Sequence, residues 1–467
     1  MPEDGSPTLF DPALAQRVLA RALSRGGDFA ELYAERRASF SVSLDDRKVE
    51  SAQTGLELGA SVRVIGGDAT YFGHVDGLGE RDLERVAEEV ASAVGRSETE
   101  PRPLRSAEHP PAQRIERRPE EVVPQRKAEL LTECDERARG AASEVVQVTA
   151  GYNELRRQVQ LANSDGLVTG DDRTRVRLGA QVVARSGDRV EAGSESLAGH
   201  AGFELFDGDP AAVADEAARR ALTMLEARAA PAGRMPVVVG NGFGGVLFHE
   251  ATGHGLESDA VQKQASVYAG RLGERLAGTL LTAYDDGTMP GEWGTDAIDD
   301  EGTPCQATRV IADGELCFFL YDLTRARRDG KPSTGNGRRQ SFRHLPIPRM
   351  TNTYIAPGDA TPDEIIGGVE RGLYAVSFAG GQVEPATGDF VFGLSEGYLI
   401  ENGRVTSPVR GATLIGNSLD VLTRIDAVGD DLRMKSGFCG KDGQTVPVGT
   451  GQPTVRIAEM TVGGTDV

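Results

Sequence analysis

Aromatic side chains are scarce, at 5% of the chain with a single tryptophan, and histidine occurs only six times. The four cysteines in 467 residues, at 134, 305, 317 and 439, are too few for a disulfide framework. No apolar run approaches the ~18 residues of a membrane-spanning helix. The opening Met1-Pro-Glu-Asp-Gly-Ser6 is acidic where a secretory leader is basic and then apolar, which reads against a signal peptide. Positive charge is also in deficit: 51 Lys and Arg against 71 Asp and Glu give a net charge of −20. Such an anion repels a phosphate backbone, and the basic runs, Arg325-Ala-Arg-Arg328 and Arg338-Arg339, are short. The absences point to a cytoplasmic protein without nucleic-acid or membrane partners.

Glycine is what the chain has in excess, 59 residues, nearly double the usual ~7%. Many turns and close backbone approaches are expected from it. The length suits about three domains of ~150 residues or two larger ones. Asp11, Pro12, the Leu14/Val18/Leu19/Leu23 face and Gly26-Gly27 predict a first helix. Phe40 to Leu44 and Leu56 to Val64 alternate as half-buried strands, and a second amphipathic helix is expected over 81–94. A Pro-rich connection over 97–124 leads to a third helix over 120–138 that carries Cys134. Strands and hairpins follow over 144–207, turning at Ser164-Asp-Gly166 and Ser186-Gly-Asp188, then a helix over 210–227. A boundary near Pro231 separates residues 1–230 (subregions of about 1–97 and 120–230) from 231–467. Beyond 300, Ala312-Asp-Gly314 and Glu401-Asn-Gly403 signal hairpins, with helical patches near 361–371 and 416–427. The fold class is α+β, an α/β amino-terminal half and a strand-rich, largely antiparallel carboxy-terminal half.

The chemistry concentrates in Phe248-His-Glu-Ala-Thr-Gly-His-Gly-Leu-Glu-Ser-Asp259. Two imidazoles can hold zinc, and a carboxylate that is not a ligand can take a proton from water. His249 and His254 are five apart, about 140° around a regular helix, so both cannot face one ion unless the helix is distorted. A break or π-bulge at Gly253 is expected, with Gly253 and Gly255 permitting it. A third ligand is needed, and Glu257, Asp259 and a distant cysteine are the candidates. Cys439 lies in a glycine-dense turn suited to presenting a thiolate. Cys134, Cys305 and Cys317 read as buried structural thiols.

The segments His249–Asp259, Asp299-Asp-Glu-Gly-Thr-Pro304, Thr334-Gly-Asn-Gly-Arg-Arg339, Pro348-Arg-Met-Thr-Asn-Thr-Tyr354, Gly380-Gly-Gln-Val383 and Phe438-Cys-Gly-Lys441 occur in this order. With them the chain resembles the metal-bearing TldD branch of the TldD/PmbA metalloproteases, densely over 235–467 and more loosely before. The resemblance implies a zinc site of His249, His254 and Cys439, with Glu250 as general base. It also implies a dimer with a metal-lacking TldE/PmbA-type sister subunit, and unfolded or short polypeptides as substrates. A homodimer is the other arrangement open to such a chain.

Around that core, Gly380 and Gly381 could let a substrate strand pair with a sheet edge. Arg338, with Arg339, could meet a peptide carboxylate, and His344 could serve as an oxyanion donor. His74, His109 and His200 read as ordinary polar residues. Two other functions compete. Gly240-Asn-Gly-Phe-Gly-Gly245 follows an apolar strand and matches G-x-G-x-x-G, as in a nucleotide-binding oxidoreductase, with Asp259 about 20 residues on. Against it, residues 256–262 make no second apolar strand. A non-catalytic peptide-binding subunit is the third reading, opposed by the presence of Glu250 and both histidines.

Overall fold

The computed structural model describes residues 8–94 and 100–465. The acidic opening hexapeptide, and the start of the Pro-rich connection at Ser97, lie outside them. Helix α1 (Pro12–Leu23) starts where Asp11 accepts a hydrogen bond from the Ala13 N–H at 2.7 Å, and Pro12 occupies the first turn. Three antiparallel strands follow, β1 (Phe29–Asp45), β2 (Lys48–Gly66) and β3 (Ala69–Asp76), then α2 (Glu80–Val94). After β4 (Arg105–Ser106) and α3 (Pro124–Ala141), strands β5 (Val145–Asn163), β6 (Leu167–Ser186) and β7 (Arg189–Gly199) form two hairpins, and α4 (Ala212–Leu225) closes the segment.

These strands form one sheet in the order β3-β2-β1-β5-β6-β4, with β7 on β6. β1 pairs β5 from Glu31↔Asn163 to Asp45↔Thr149, so both amino-terminal subregions contribute to it. β1 is 17 residues long, far longer than the 40–44 strand read from alternation. Residues 29–35 are buried on both faces, so only the far end alternates. All four helices cover one face. α1 and α2 pack on Leu32, Ala34, Val62 and Val64, and α3 and α4 pack on Leu44, Val148, Tyr152 and Leu178.

The other face meets the carboxy-terminal half. There Tyr33, Val159 and Leu161 pack with Ile298 and Phe342, surrounded by buried ion pairs. Arg63 bridges Glu31 (2.9 Å) and Glu301 (2.8 Å), and Arg157 pairs with Glu35 (2.9 Å). Arg173 reaches Asp171 (2.9 Å) and Asp300 (2.7 Å), and Arg175 reaches Asp296 (2.7 Å). Arg339 enters the same network through Glu31.

The carboxy-terminal sheet takes in β8 (Arg228–Ala229), which pairs in parallel with strand 404–410, and β9 (Gly233–Val239). β9 runs parallel to strand 371–384 and antiparallel to strand 455–463. Strand 371–384 pairs with 389–401, which pairs with 413–417, which returns to 455–463, so five strands close into a barrel. A second sheet contains strands 283–286, 307–312, 352–355, 433–441 and 444–452. Both expected hairpins form: Asp313 and Gly314 have φ of 48° and 82°, and Asn402 and Gly403 of 52° and 72°. Positive φ at both central residues matches the twist of the flanking strands. Cys134 is buried, Cys305 partly so, while Cys317 is exposed, contrary to expectation. The strand at Glu315–Leu316 is only two residues long, and Cys317 lies just past it. No helix among the described residues is long and apolar enough to cross a membrane.

Candidate metal centre

Helix α5 (Gly245–Ala251) lies between the barrel and the second sheet, burying Leu247, Phe248 and Ala251 in their shared core. It presents His249 and Glu250. The helix stops at Thr252, whose φ of −121° and ψ of −51° leave the helical region, and a 3₁₀ turn over Gly253–Leu256 carries His254. The break therefore falls one residue before the glycine expected to make it. Neither Gly253 nor Gly255 has positive φ; both are small because of packing. A Cβ at Gly253 would lie 2.1 Å from the Met350 sulfur, and one at Gly255 would lie 2.6 Å from the Tyr268 ring.

The distortion brings both rings to Cys439, which is buried on strand 433–441. His249 Nε2 is 3.3 Å and His254 Nε2 3.2 Å from Cys439 Sγ, and the three donor atoms lie within 4.8 Å of one another. The rings meet edge to face, 5.3 Å between centroids. Around a tetrahedral zinc, two imidazole nitrogens would each stand ~3.5 Å from a thiolate sulfur. The donor set and its spacing fit such an ion.

A further shell holds this arrangement. His254 Nδ1 lies 2.9 Å from Glu257, whose carboxylate takes a 2.9 Å bond from Lys441 Nζ. Lys441 also reaches Asp259 (2.6 Å) and the Pro348 carbonyl (3.3 Å). A carboxylate behind a histidine fixes its tautomer and leaves Nε2 free as a donor to metal. Arg349 donates to the Cys439 carbonyl. His249 Nδ1, by contrast, is buried with no partner among the described residues. Glu250 makes no hydrogen bond there; its carboxylate lies 3.8 Å from His254 Nε2 and stays one-third exposed.

Electrostatics follow the geometry. Burial opposes ionisation of the Cys439 thiol, but the two imidazoles outweigh it and hold its pKa down at about 5. Burial likewise opposes charge on His254, yet Glu257 and Cys439 raise its pKa well above the usual value. Burial would raise Glu257, but His254 and Lys441 bring it down to about 2. Lys441 was the member least visible in sequence; its signal is its place two residues beyond Cys439, on the same strand face.

The other candidates lie in different surroundings. Asp259 is held by Lys441, and Glu257 turns to His254, so neither carboxylate joins the three donors. Arg338 is buried and donates to the Met350 carbonyl, while His344 is bonded to Ser341 at 2.9 Å. Gly380 and Gly381 are exposed and, among the described residues, pair with Gly393 and Phe392 on one side only. Within 240–245, Gly242 takes a φ of 71°, while Gly244 and Gly245 serve packing: a Cβ at Gly244 would meet Gln452 at 2.5 Å, and one at Gly245 would meet the Gly451 backbone at 2.5 Å. No strand follows α5 to carry Asp259, which sits in α6 (Ser258–Gln262), so a dinucleotide fold is ruled out.

Residues 30–94, 117–225 and 232–464 match the models of the PmbA/TldA metallopeptidase domain 1, central domain and C-terminal domain. The Haemophilus influenzae "Metalloprotease TldD homolog" is 41% identical over 453 residues, covering 95% of this chain and 94% of its own. The "Zinc metalloprotease TldD homolog" of Saccharolobus solfataricus is 34% identical over 67% of this chain and 70% of its own. The crystal structure of TldE from Thermococcus kodakarensis shares the fold, with a TM-score of 0.77 at 21% identity over 94% of this chain and 97% of that one. The chain belongs to the TldD/PmbA family of metallopeptidases. Its relatives' names support a peptidase role and imply a metal cofactor.

Proposed function

We propose that the chain is the metal-bearing, TldD-type subunit of a cytoplasmic zinc peptidase acting on unfolded or short polypeptides. His249, His254 and Cys439 would hold the ion, all from the 231–467 half, and Glu250 would be the general base. The observation that carries this is the convergence of two Nε2 atoms and one Sγ within 4.8 Å, beside a carboxylate that makes no hydrogen bond among the described residues. When bound, zinc supplies Lewis acidity to a scissile carbonyl and to water, tempered by the charge of the Cys439 thiolate. Glu250 takes a proton from the attacking water and returns it to the leaving amine. Glu257 and Lys441 keep His254 in register through Nδ1. The free side of strand 371–384 at Gly380 and Gly381 would pair with an extended substrate. A sister subunit of the TldE/PmbA type would complete the dimer, in keeping with the TldE fold neighbour.

The test is metal content measured alongside cleavage. The purified protein should hold about one zinc per chain. Glu250→Gln should keep the metal and lose cleavage of an unfolded polypeptide ~100-fold or more. Unimpaired cleavage by that variant, or absence of zinc from the active protein, would overturn the reading.

A further inference from the structure

A cleft of about 580 Å³ opens between the helix-free face of the amino-terminal sheet and the back of the hairpin that carries Cys439. Pockets for small ligands span ~300–1,000 Å³. Successive residues of the hairpin point to opposite sides. Cys439 pairs with Val446 on the side of the imidazoles, whereas Phe438 pairs with Pro447 and, 57% exposed, walls the cleft. Trp293 stands edge-on to Phe438 at 5.7 Å, and its buried indole N–H has no acceptor among the described residues.

Charge singles out one residue on the rim. Arg157, Arg175 and Arg339 are matched by carboxylates between the two halves, and Arg37 lies 3.6 Å from Glu35 and 3.5 Å from Glu57. Arg177 has no such carboxylate among the described residues; its guanidinium donates to Ser196 Oγ at 3.4 Å and lies over the Phe438 ring, 5.9 Å from its centroid. Glu195, the acid that acts on it, is committed to Lys435 (2.7 Å) and Arg220 (3.0 Å). Burial without an anion depresses the pKa of this guanidinium. A second cleft, about 460 Å³, shares Asn153 and Arg177 and runs on along Thr149, Gly151 and Ser194. The whole is an elongated groove with an uncompensated cation near its middle, in a chain of net charge −20.

We propose that this groove binds the carboxyl-terminal end of an extended polypeptide, with Arg177 gripping the terminal carboxylate and Trp293 and Phe438 flanking its last side chain. A carboxylate offers two coplanar oxygens to the guanidinium fork, and such charge-assisted pairs are strong where water is partly excluded. The proposal rests on the peptidase reading only in taking a polypeptide as ligand.

Trp293 is the sole tryptophan, so its fluorescence reports the cleft directly. The full chain carrying Glu250→Gln is titrated with acetyl-Ala-Ala-Phe as the free acid and as the amide. The acid should give a saturable change and bind at least ~10-fold tighter than the amide. Arg177→Gln should reduce the acid to the amide's affinity, and Arg177→Lys should recover part of it. If Arg177→Gln does not fold, the acid-to-amide ratio on the intact groove decides alone. Equal affinities, an unchanged titration in a folded Arg177→Gln, or no fluorescence response would overturn the proposal. Displacement of the peptide by an equal concentration of inorganic phosphate would also overturn it, reassigning the site to free anions. Cleavage of the peptide by Glu250→Gln would instead break the peptidase reading, so the two failures are distinguishable.

Discussion

Two regions bury charge in this molecule, and they do so on opposite terms. Between the amino-terminal sheet and the carboxy-terminal loops, arginines meet acids in a shared network: Arg63 with Glu31 and Glu301, Arg157 with Glu35, Arg173 with Asp300, Arg175 with Asp296. At the His249, His254 and Cys439 cluster, three electron-pair donors converge instead, and the two imidazoles hold the pKa of the thiol down at about 5. Matched burial needs nothing from outside and locks two halves together. On the reading proposed above, the convergent donors would be satisfied by a cation that the chain does not encode. The difference separates a buried charge that holds structure from one that serves chemistry.

Substitutions on the two sides should therefore fail differently. Cys439→Ser should release zinc and cut cleavage ~100-fold or more while leaving the metal-free melting temperature nearly unchanged, as metal analysis, peptidase assay and a thermal melt would show. Asp300→Ala should do the reverse. It leaves Arg173 without its 2.7 Å partner and removes the acceptor for the Arg339 N–H, at a cost of ~3–5 kcal/mol in denaturant unfolding. If Asp300→Ala melted like wild type, the ion pairs would not be what joins the halves. A smaller effect is expected at Glu257→Gln, which loosens His254 without removing a donor. Zinc affinity should fall ~10–100-fold in a chelator competition, with the fold intact.

The subtlest test uses pH. Glu257 has its pKa lowered from 4.5 to about 2 by His254 and Lys441, against the opposing effect of burial. A depressed carboxylate contributes stability that is present above pH 4.5 and lost as pH falls towards 2. The gap in melting temperature between metal-free wild type and Glu257→Gln should narrow over that window. A constant gap would mean that Glu257 contributes by packing and not by charge.

Much of the local architecture was legible along the chain. The Asp11-Pro12 start of α1, the hairpins at Ala312-Asp-Gly314 and Glu401-Asn-Gly403, and the need to break the helix between His249 and His254 are all short-range matters. The strand buried over 29–35 was not legible as such, because both of its faces are covered and its pattern loses its period. Arg338 and Arg339 read as open guanidiniums, yet both turn inward, to the Met350 carbonyl and to Glu31.

Backbone sterics act over a few residues, so the order of amino acids settles turns, caps and the five-residue spacing of the histidines. That spacing even dictated a distortion before its form was known. Which sulfur would face them was settled only when a hairpin 190 residues away from His249 packed against α5. The same packing turned Glu257 from a candidate ligand into the partner of His254 Nδ1, and left Arg177 without a matching carboxylate among the described residues. Contacts between distant segments depend on how whole layers stack, and no local pattern carries that information.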